Sequence, residues 1–269
     1  MSLFLKSQLC TAVQWPPKNT NLEGRIALVT GSTSGLGLEA SRQLLGFGLS
    51  ELIIAVRSIE KGEVVASELR AQFPKANIRV WFLEMESYDS IQELTRRAHR
   101  ELTQLDIAIL NAGMQTANFD IVPATGHEKL AKSLPNQPGR LAIVNSGTAR
   151  GAKIDLQCVP VLSTLDNKNR PWNPIERYAV SKLLGHLFIV NLARHVSSDH
   201  VIVNLVDPGL VKDTGLQRFA PSVVAAFFYC YKAILGRSVP VGASTYIDAV
   251  AVKGKESHGC LVANWKISS

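Results

Sequence analysis

The chain has 269 residues, 46% of them hydrophobic and 19% charged, with a formal net charge of +7. That length suffices for one large α/β domain with a full core, and the balance excludes a disordered chain. Lysine and arginine are scattered with no block of five or more, which argues against a nucleic-acid partner.

Residues 1–23 read as an extended leader containing Pro16-Pro17, and residues 24–269 as a single domain. Arg25 to Thr30 is a buried parallel strand, apolar without alternation. A glycine-rich turn follows, and Leu36 to Leu45 has helical spacing. Leu52 to Val56 is a second strand, Ser58 to Phe73 an amphipathic helix, and Ile78 to Leu83 a third strand. Tyr88 to Leu105 is a charged helix and Asp106 to Leu110 a fourth strand. Leu141 to Asn145, a long helix over Ile175 to Val196 and a strand over Val201 to Val206 continue the alternation. A helix over Gly242 to Val252 and a last strand within Gly259 to Trp265 complete it. Strands alternating with helices predict an α/β fold with a doubly wound parallel sheet, the Rossmann arrangement.

The four cysteines, Cys10, Cys158, Cys230 and Cys260, stand far apart. This excludes a disulfide framework or zinc knuckle and fits a reducing, cytoplasmic setting; no metal site is expected. The longest apolar run, Val223 to Leu235, is broken by Lys232 and falls short of the roughly 18 residues a membrane span needs. No stable membrane span is expected, and peripheral membrane association is left open.

Three clusters carry chemistry. In Thr30-Gly31-Ser32-Thr33-Ser34-Gly35-Leu36-Gly37 the glycines allow a tight turn and bring backbone amides and a helix N-terminus against a pyrophosphate. The turn lies after a strand and before a helix, the context a dinucleotide site requires. At the end of the second strand stands Arg57, with Lys61 a turn later and no carboxylate before Glu60. Cations there suit the 2′-phosphate of NADP(H), whereas an NAD site wants an acid. Tyr178 and Lys182, four apart on a helix, share one face. A tyrosine hydroxyl ionises near pH ~10, and a neighbouring ammonium is expected to lower that value. Ser146, at the end of the fifth strand, is placed to orient a carbonyl oxygen.

These residues resemble the short-chain dehydrogenase/reductase family over residues 23–265. Thr30–Gly37 is similar to its TGxxxGxG turn, Asn111-Ala112-Gly113 to its NAG motif, and Ser146, Tyr178 and Lys182 to its Ser and YxxxK. Pro208-Gly209, with Val211 and Thr214, resembles the segment beside the nicotinamide. Ala55 to Gly62 and the long Ser-to-Tyr insertion resemble fungal retinol-dehydrogenase-like members, which often serve secondary-metabolite pathways. The resemblance implies Tyr178 as proton donor or acceptor, Lys182 lowering its pKa and holding the ribose, and Ser146 positioning the substrate. It implies a cofactor site of Gly31, Ser34, Gly35, Leu36, Gly37, Arg57, Lys61, Asn111, Tyr178, Lys182, Val211 and Thr214. Glu84 takes the place of the family's adenine-binding aspartate.

Two departures accompany the resemblance. Between the fourth and fifth strands the chain offers only Met114 to Arg140, a shortened crossover without the family's catalytic asparagine and with a reduced interface helix. Ser269 ends the chain where relatives continue with another helix. Both predict exposed apolar surface and marginal stability, and they leave homo-oligomerisation open. Two functions therefore stand. One is an NADP(H)-dependent oxidoreductase acting on a lipophilic small-molecule carbonyl or alcohol, its pocket shaped by Pro221 to Leu235. The other is a non-catalytic or degenerate Rossmann nucleotide-binding or scaffold protein.

Overall fold

The computed structural model describes residues 7, 8, 10–113, 137–154, 173–214 and 231–268. The expected shortened crossover, and most of the apolar segment Pro221 to Leu235, lie outside the described residues.

The strands are β1 (Ile26–Thr30), β2 (Glu51–Val56), β3 (Asn77–Phe82), β4 (Ile107–Leu110), β5 (Gly139–Val144), β6 (Val201–Asp207), β7 (Leu261–Ala263) and β8 (Lys266–Ser268). The helices used below are α1 (Gly35–Gly46), α2 (Ile59–Gln72), α3 (Tyr88–Glu101), α4 (Pro174–His195) and α5 (Val239–Ile247). Among the described residues the sheet has eight strands in the order β3-β2-β1-β4-β5-β6-β7-β8. All pairs are parallel except β7 with β8. β1, β2 and β6 are buried along nearly their whole length. A sheet covered on both faces can use such unbroken apolar runs. One core cluster joins Val29, Ile54 and Ile109 to Leu44, Val65 and Tyr246, and a second, around Trp81, packs Ile53 and Leu28 against Leu94 of α3.

The order reverses between β1 and β4, so their carboxyl ends open a crevice, where ligands of such sheets bind. No described helix is long and apolar enough to cross a membrane.

Two expectations are corrected. The helix read to Leu105 ends at Glu101, because Leu102 turns to extended backbone (φ −106, ψ 134) and Leu105 packs into the core from a loop. The expected last strand is a hairpin: Asn264 and Trp265, at φ 53 and 56, turn the chain from β7 into β8. Positive φ at both central residues suits the twist of paired strands, although glycine or asparagine normally supplies it. Two described residues of the segment before β1 touch the domain. Leu22 is buried with its N–H on the Phe47 carbonyl, and the Ser7 carbonyl accepts from Arg237.

Candidate active site

The glycine-rich turn sits at the mouth of the crevice. Gly31 and Gly35 take φ 66 and 57, a region costly for other residues. Gly31 also lies against Ala112, where a Cβ would stand 3.0 Å from the Ala112 Cα. A Cβ on Gly37 would fall 2.5 Å from Asn111 Nδ2 and 2.6 Å from the Gly31 carbonyl oxygen. Ser34 caps α1 without a side-chain hydrogen bond, and the first turn has no acidic residue. The helix therefore offers backbone N–H groups and its partial positive charge to an anion. These features fit a dinucleotide pyrophosphate. Gly37→Ala is expected to weaken nucleotide binding at least tenfold by titration, because the clash is with the Gly31 backbone as well as the Asn111 amide, and relieving it costs about 1–3 kcal/mol.

Asn111 locks the two sides of the switch point together. Its Nδ2 donates to the carbonyls of Thr30 (3.0 Å) and Gly31 (3.2 Å). Its Oδ1 accepts from the Tyr246 hydroxyl at 3.2 Å, and the Ala112 N–H donates to Thr30 Oγ1 at 2.8 Å. Tyr246 is fully buried, which pushes its hydroxyl well above the ordinary tyrosine range and keeps it a donor. Gly242 of α5 brings two more expected residues together, since a Cβ there would lie 2.6 Å from Val211 and 2.9 Å from Leu36. Thr214 Oγ1 donates to the Val211 carbonyl and receives the Lys232 ammonium, each at 3.3 Å.

Arg57, two-thirds exposed at the end of β2, faces Glu84 across 3.7 Å. Lys61 is exposed on the first turn of α2, where its N–H donates to Ser58 Oγ at 3.3 Å. Arg57, Lys61 and Glu84 thus share the β2–β3 edge of the crevice.

Ser146, Tyr178 and Lys182 converge at the other edge. α4 starts cleanly because Asn173 Oδ1 accepts from the N–H groups of Ile175 and Glu176, with Pro174 at the first helical position. α4 is held to the end of β5 by Asn145, whose Nδ2 donates to the Lys182 carbonyl at 3.0 Å. Glycine is needed at 185, where a Cβ would be 2.8 Å from that amide. Asn145 Oδ1 accepts the Ser146 N–H at 2.6 Å. Ser146 Oγ accepts from the Thr148 N–H at 3.3 Å, and the Ser146 hydroxyl acts on that of Tyr178.

Burial pushes the Tyr178 hydroxyl above its ordinary value, the Ser146 hydrogen bond pulls it down, and the Asp207 charge pushes it up. The lowering expected from Lys182 is not what this geometry gives. The Lys182 ammonium lies 5.5 Å from the centre of the Tyr178 ring and donates to the Val144 carbonyl at 3.1 Å. Burial also lowers the Lys182 ammonium, while Asp207 opposes that shift.

The residues missed in the sequence are Asn145, Asp207, Tyr246 and Arg237. The Arg237 guanidinium donates to the carbonyls of Pro208 (3.2 Å) and Ser7 (3.1 Å), and bonds Asn264. It is the hub where both chain ends meet the Pro208–Gly209 loop. An arginine inside an apolar stretch was the available signal.

A protein-family model described as short chain dehydrogenase matches residues 25–136. The chain is 44% identical to the short chain dehydrogenase/reductase mfmJ of Annulohypoxylon moriforme, over 98% of this chain and 83% of that protein. It is 39% identical to the short chain dehydrogenase opdN of Penicillium oxalicum, over 98% and 94% respectively. Among solved structures, L-sorbose reductase from Gluconobacter frateurii, complexed with NADPH and L-sorbose, superposes with a TM-score of 0.66. That match has 17% identity and covers 91% of this chain and 96% of the other. An NADPH-bound short chain oxidoreductase from Pseudomonas aeruginosa gives a TM-score of 0.64 at 17% identity, over 90% and 96%.

Proposed function

Because this chain belongs to the short-chain dehydrogenase/reductase family of oxidoreductases, which work with a nicotinamide cofactor, we propose that it uses NADP(H). Its reaction is reduction of a ketone or aldehyde, or oxidation of a secondary alcohol, on a lipophilic small molecule in fungal secondary-metabolite biosynthesis. The observation that carries the reading is the meeting of Ser146, at the end of β5, with Tyr178 and Lys182 of α4, which Asn145 ties to that strand end. The fungal short chain dehydrogenases it resembles support the setting.

The bound nicotinamide would supply or accept the hydride. Everything else falls to the chain. Tyr178 hands its hydroxyl proton to the carbonyl oxygen in the reducing direction, and takes it back in the oxidising one. Ser146, whose Oγ already accepts from Thr148, directs its own hydrogen toward that oxygen and stabilises the developing charge. Lys182 contributes an ammonium on the same helical face, and would hold the ribose. Gly31, Ser34, Gly35, Leu36 and Gly37 would receive the pyrophosphate, and Asn111, Val211 and Thr214 the nicotinamide half. Glu84 lies at the adenine end.

Arg57 and Lys61 would read the 2′-phosphate. Arg57 must leave Glu84 to do so, and as an exposed group it works against solvent screening. Arg57→Ala is therefore expected to weaken NADPH binding about tenfold, the lower end for a charge-assisted hydrogen bond. NADH binding should stay within about twofold. Fluorescence titration with both cofactors checks this, and equal weakening of both would remove Arg57 as the phosphate reader.

The first experiment on the reading as a whole is thermal unfolding with NADPH, with NADH and with neither. A ligand that binds only the folded chain raises the midpoint. A larger rise with NADPH is expected, and no shift with either would overturn the assignment.

A further inference from the structure

One charged side chain at the heart of the site has no part in the reaction above. Asp207 is the last residue of β6, and its two carboxylate oxygens serve two different loops. Oδ2 accepts the Gly147 N–H at 2.9 Å, and Oδ1 accepts the Gly209 N–H at 2.8 Å. Gly147 follows Ser146 directly, and a Cβ on it would lie 3.0 Å from Oδ2, so the approach is close. Gly209, at φ 75, opens the loop that carries Val211 and Thr214. The two loops leave neighbouring strands, paired at Val144 and Val206. No backbone hydrogen bond from that ladder extends to Gly147 or Gly209.

We propose that Asp207 is a positioning residue, whose carboxylate bridges the Ser146–Gly147 loop to the Pro208–Gly209 loop and thereby holds the Ser146 hydroxyl against that of Tyr178. The inference rests on the reading of Ser146 and Tyr178 as the reacting pair. The Asp207 charge acts on several titratable groups. They are Tyr178, Lys182 and His186 of α4, Arg237 of the segment before α5, and Tyr246 of α5. The Arg150 charge acts in turn on His186. An aspartate fits the task because a carboxylate accepts at both oxygens, whereas an amide offers one acceptor and one donor. In Asp207→Asn one glycine N–H must therefore face an NH2 group, and one loop loses its tie.

The test is a double-mutant cycle on the full chain, read by the 13Cζ resonance of labelled Tyr178 at neutral pH and assigned through Tyr178→Phe. Ser146→Ala removes the hydroxyl that acts on the phenol and must shift that resonance. If Asp207 positions Ser146, the same Ser146→Ala change shifts it far less in the Asp207→Asn background. Equal shifts in both backgrounds overturn the proposal, since a residue that only stabilised the fold, or acted only through its charge, would leave the Ser146 contact intact. Asp207→Glu retains both oxygens and the charge but displaces them by a methylene. It is expected to give an intermediate coupling, and it carries the cycle if the asparagine variant does not fold.

Turnover on a carbonyl panel provides the second readout. Asp207→Asn should lower kcat on the order of tenfold to a hundredfold, the range that a misplacement of about 1 Å produces. An unchanged kcat would again overturn it. The cycle separates the two failures. Coupled resonances without turnover in any variant would fault the reaction, whereas turnover with uncoupled resonances would fault Asp207.

Discussion

Tyr178→Phe is expected to cut turnover by roughly 10²–10⁴-fold, the usual contribution of a positioned general acid or base, while NADPH still binds within about twofold. The substitution removes one oxygen and keeps the ring that stands 5.5 Å from the Lys182 ammonium, so packing and charge change little. The loss should fall on kcat rather than KM, because proton transfer belongs to the transition state. Burial and Asp207 hold the Tyr178 hydroxyl above its ordinary value, so it stays protonated at neutral pH and is poised first as an acid. Reduction should accordingly persist to alkaline pH and decline only as the phenol ionises. The check is steady-state kinetics on a panel of lipophilic ketones and alcohols, wild type beside variant. Undiminished turnover in the variant would sink the mechanism. A wild type that binds NADPH yet turns over nothing would favour the non-catalytic scaffold.

Trp265→Ala is expected to cost about 3–5 kcal/mol of stability, the range for deleting a buried large aromatic. Trp265 is 1% exposed, donates from Nε1 to Ser244 Oγ at 3.1 Å and lies 4.8 Å beneath the Arg237 guanidinium. It does this from φ 56, a left-handed conformation that costs a non-glycine residue roughly 1–2 kcal/mol. The ring's burial must outweigh that strain. Alanine would keep the strained backbone and lose the ring, lowering the midpoint by on the order of 10 °C for a chain of this size. Thermal unfolding followed by circular dichroism measures it. A shift below about 2 °C would mean that the hairpin hangs loosely on the domain. Trp265→Phe, losing chiefly the Ser244 bond, should cost about 1 kcal/mol.

The fold is strongly legible along the chain wherever a segment's environment repeats locally. β1, β2, β4 and β6 announce themselves as short apolar runs because both sheet faces are covered. α2 and α3 are bounded by Ser58 and Ser87, each accepting an N–H from the first turn, as an N-cap should. The end of α3 is less legible, since Leu102 and Leu105 continue the helical spacing while docking from a loop. β8 is hidden altogether, because Asn264-Trp265 is not turn chemistry unless the tryptophan has a pocket to fill.

The site divides in the same way. Gly31, Gly35, Gly37, Asn111, Ser146, Tyr178 and Lys182 occur in short motifs whose spacing is itself the geometry, three residues to a turn or four along a helix face. From them the sequence reading reached the fold class, the glycine-rich turn before α1 and the placing of Tyr178 and Lys182 on one helix. It could not determine what surrounds that pair. Asn145 meets Lys182 and Gly185 on α4, Asp207 meets a glycine 60 residues away, and Arg237 reaches Ser7 across 230. The direction of the Tyr178 ionisation was likewise decided by tertiary structure, through burial and the Asp207 charge rather than through the lysine four residues on. The physical reason is range: periodicity and turn chemistry act within a few residues, whereas desolvation and a carboxylate's two hydrogen bonds depend on which distant segments the packed sheet brings together.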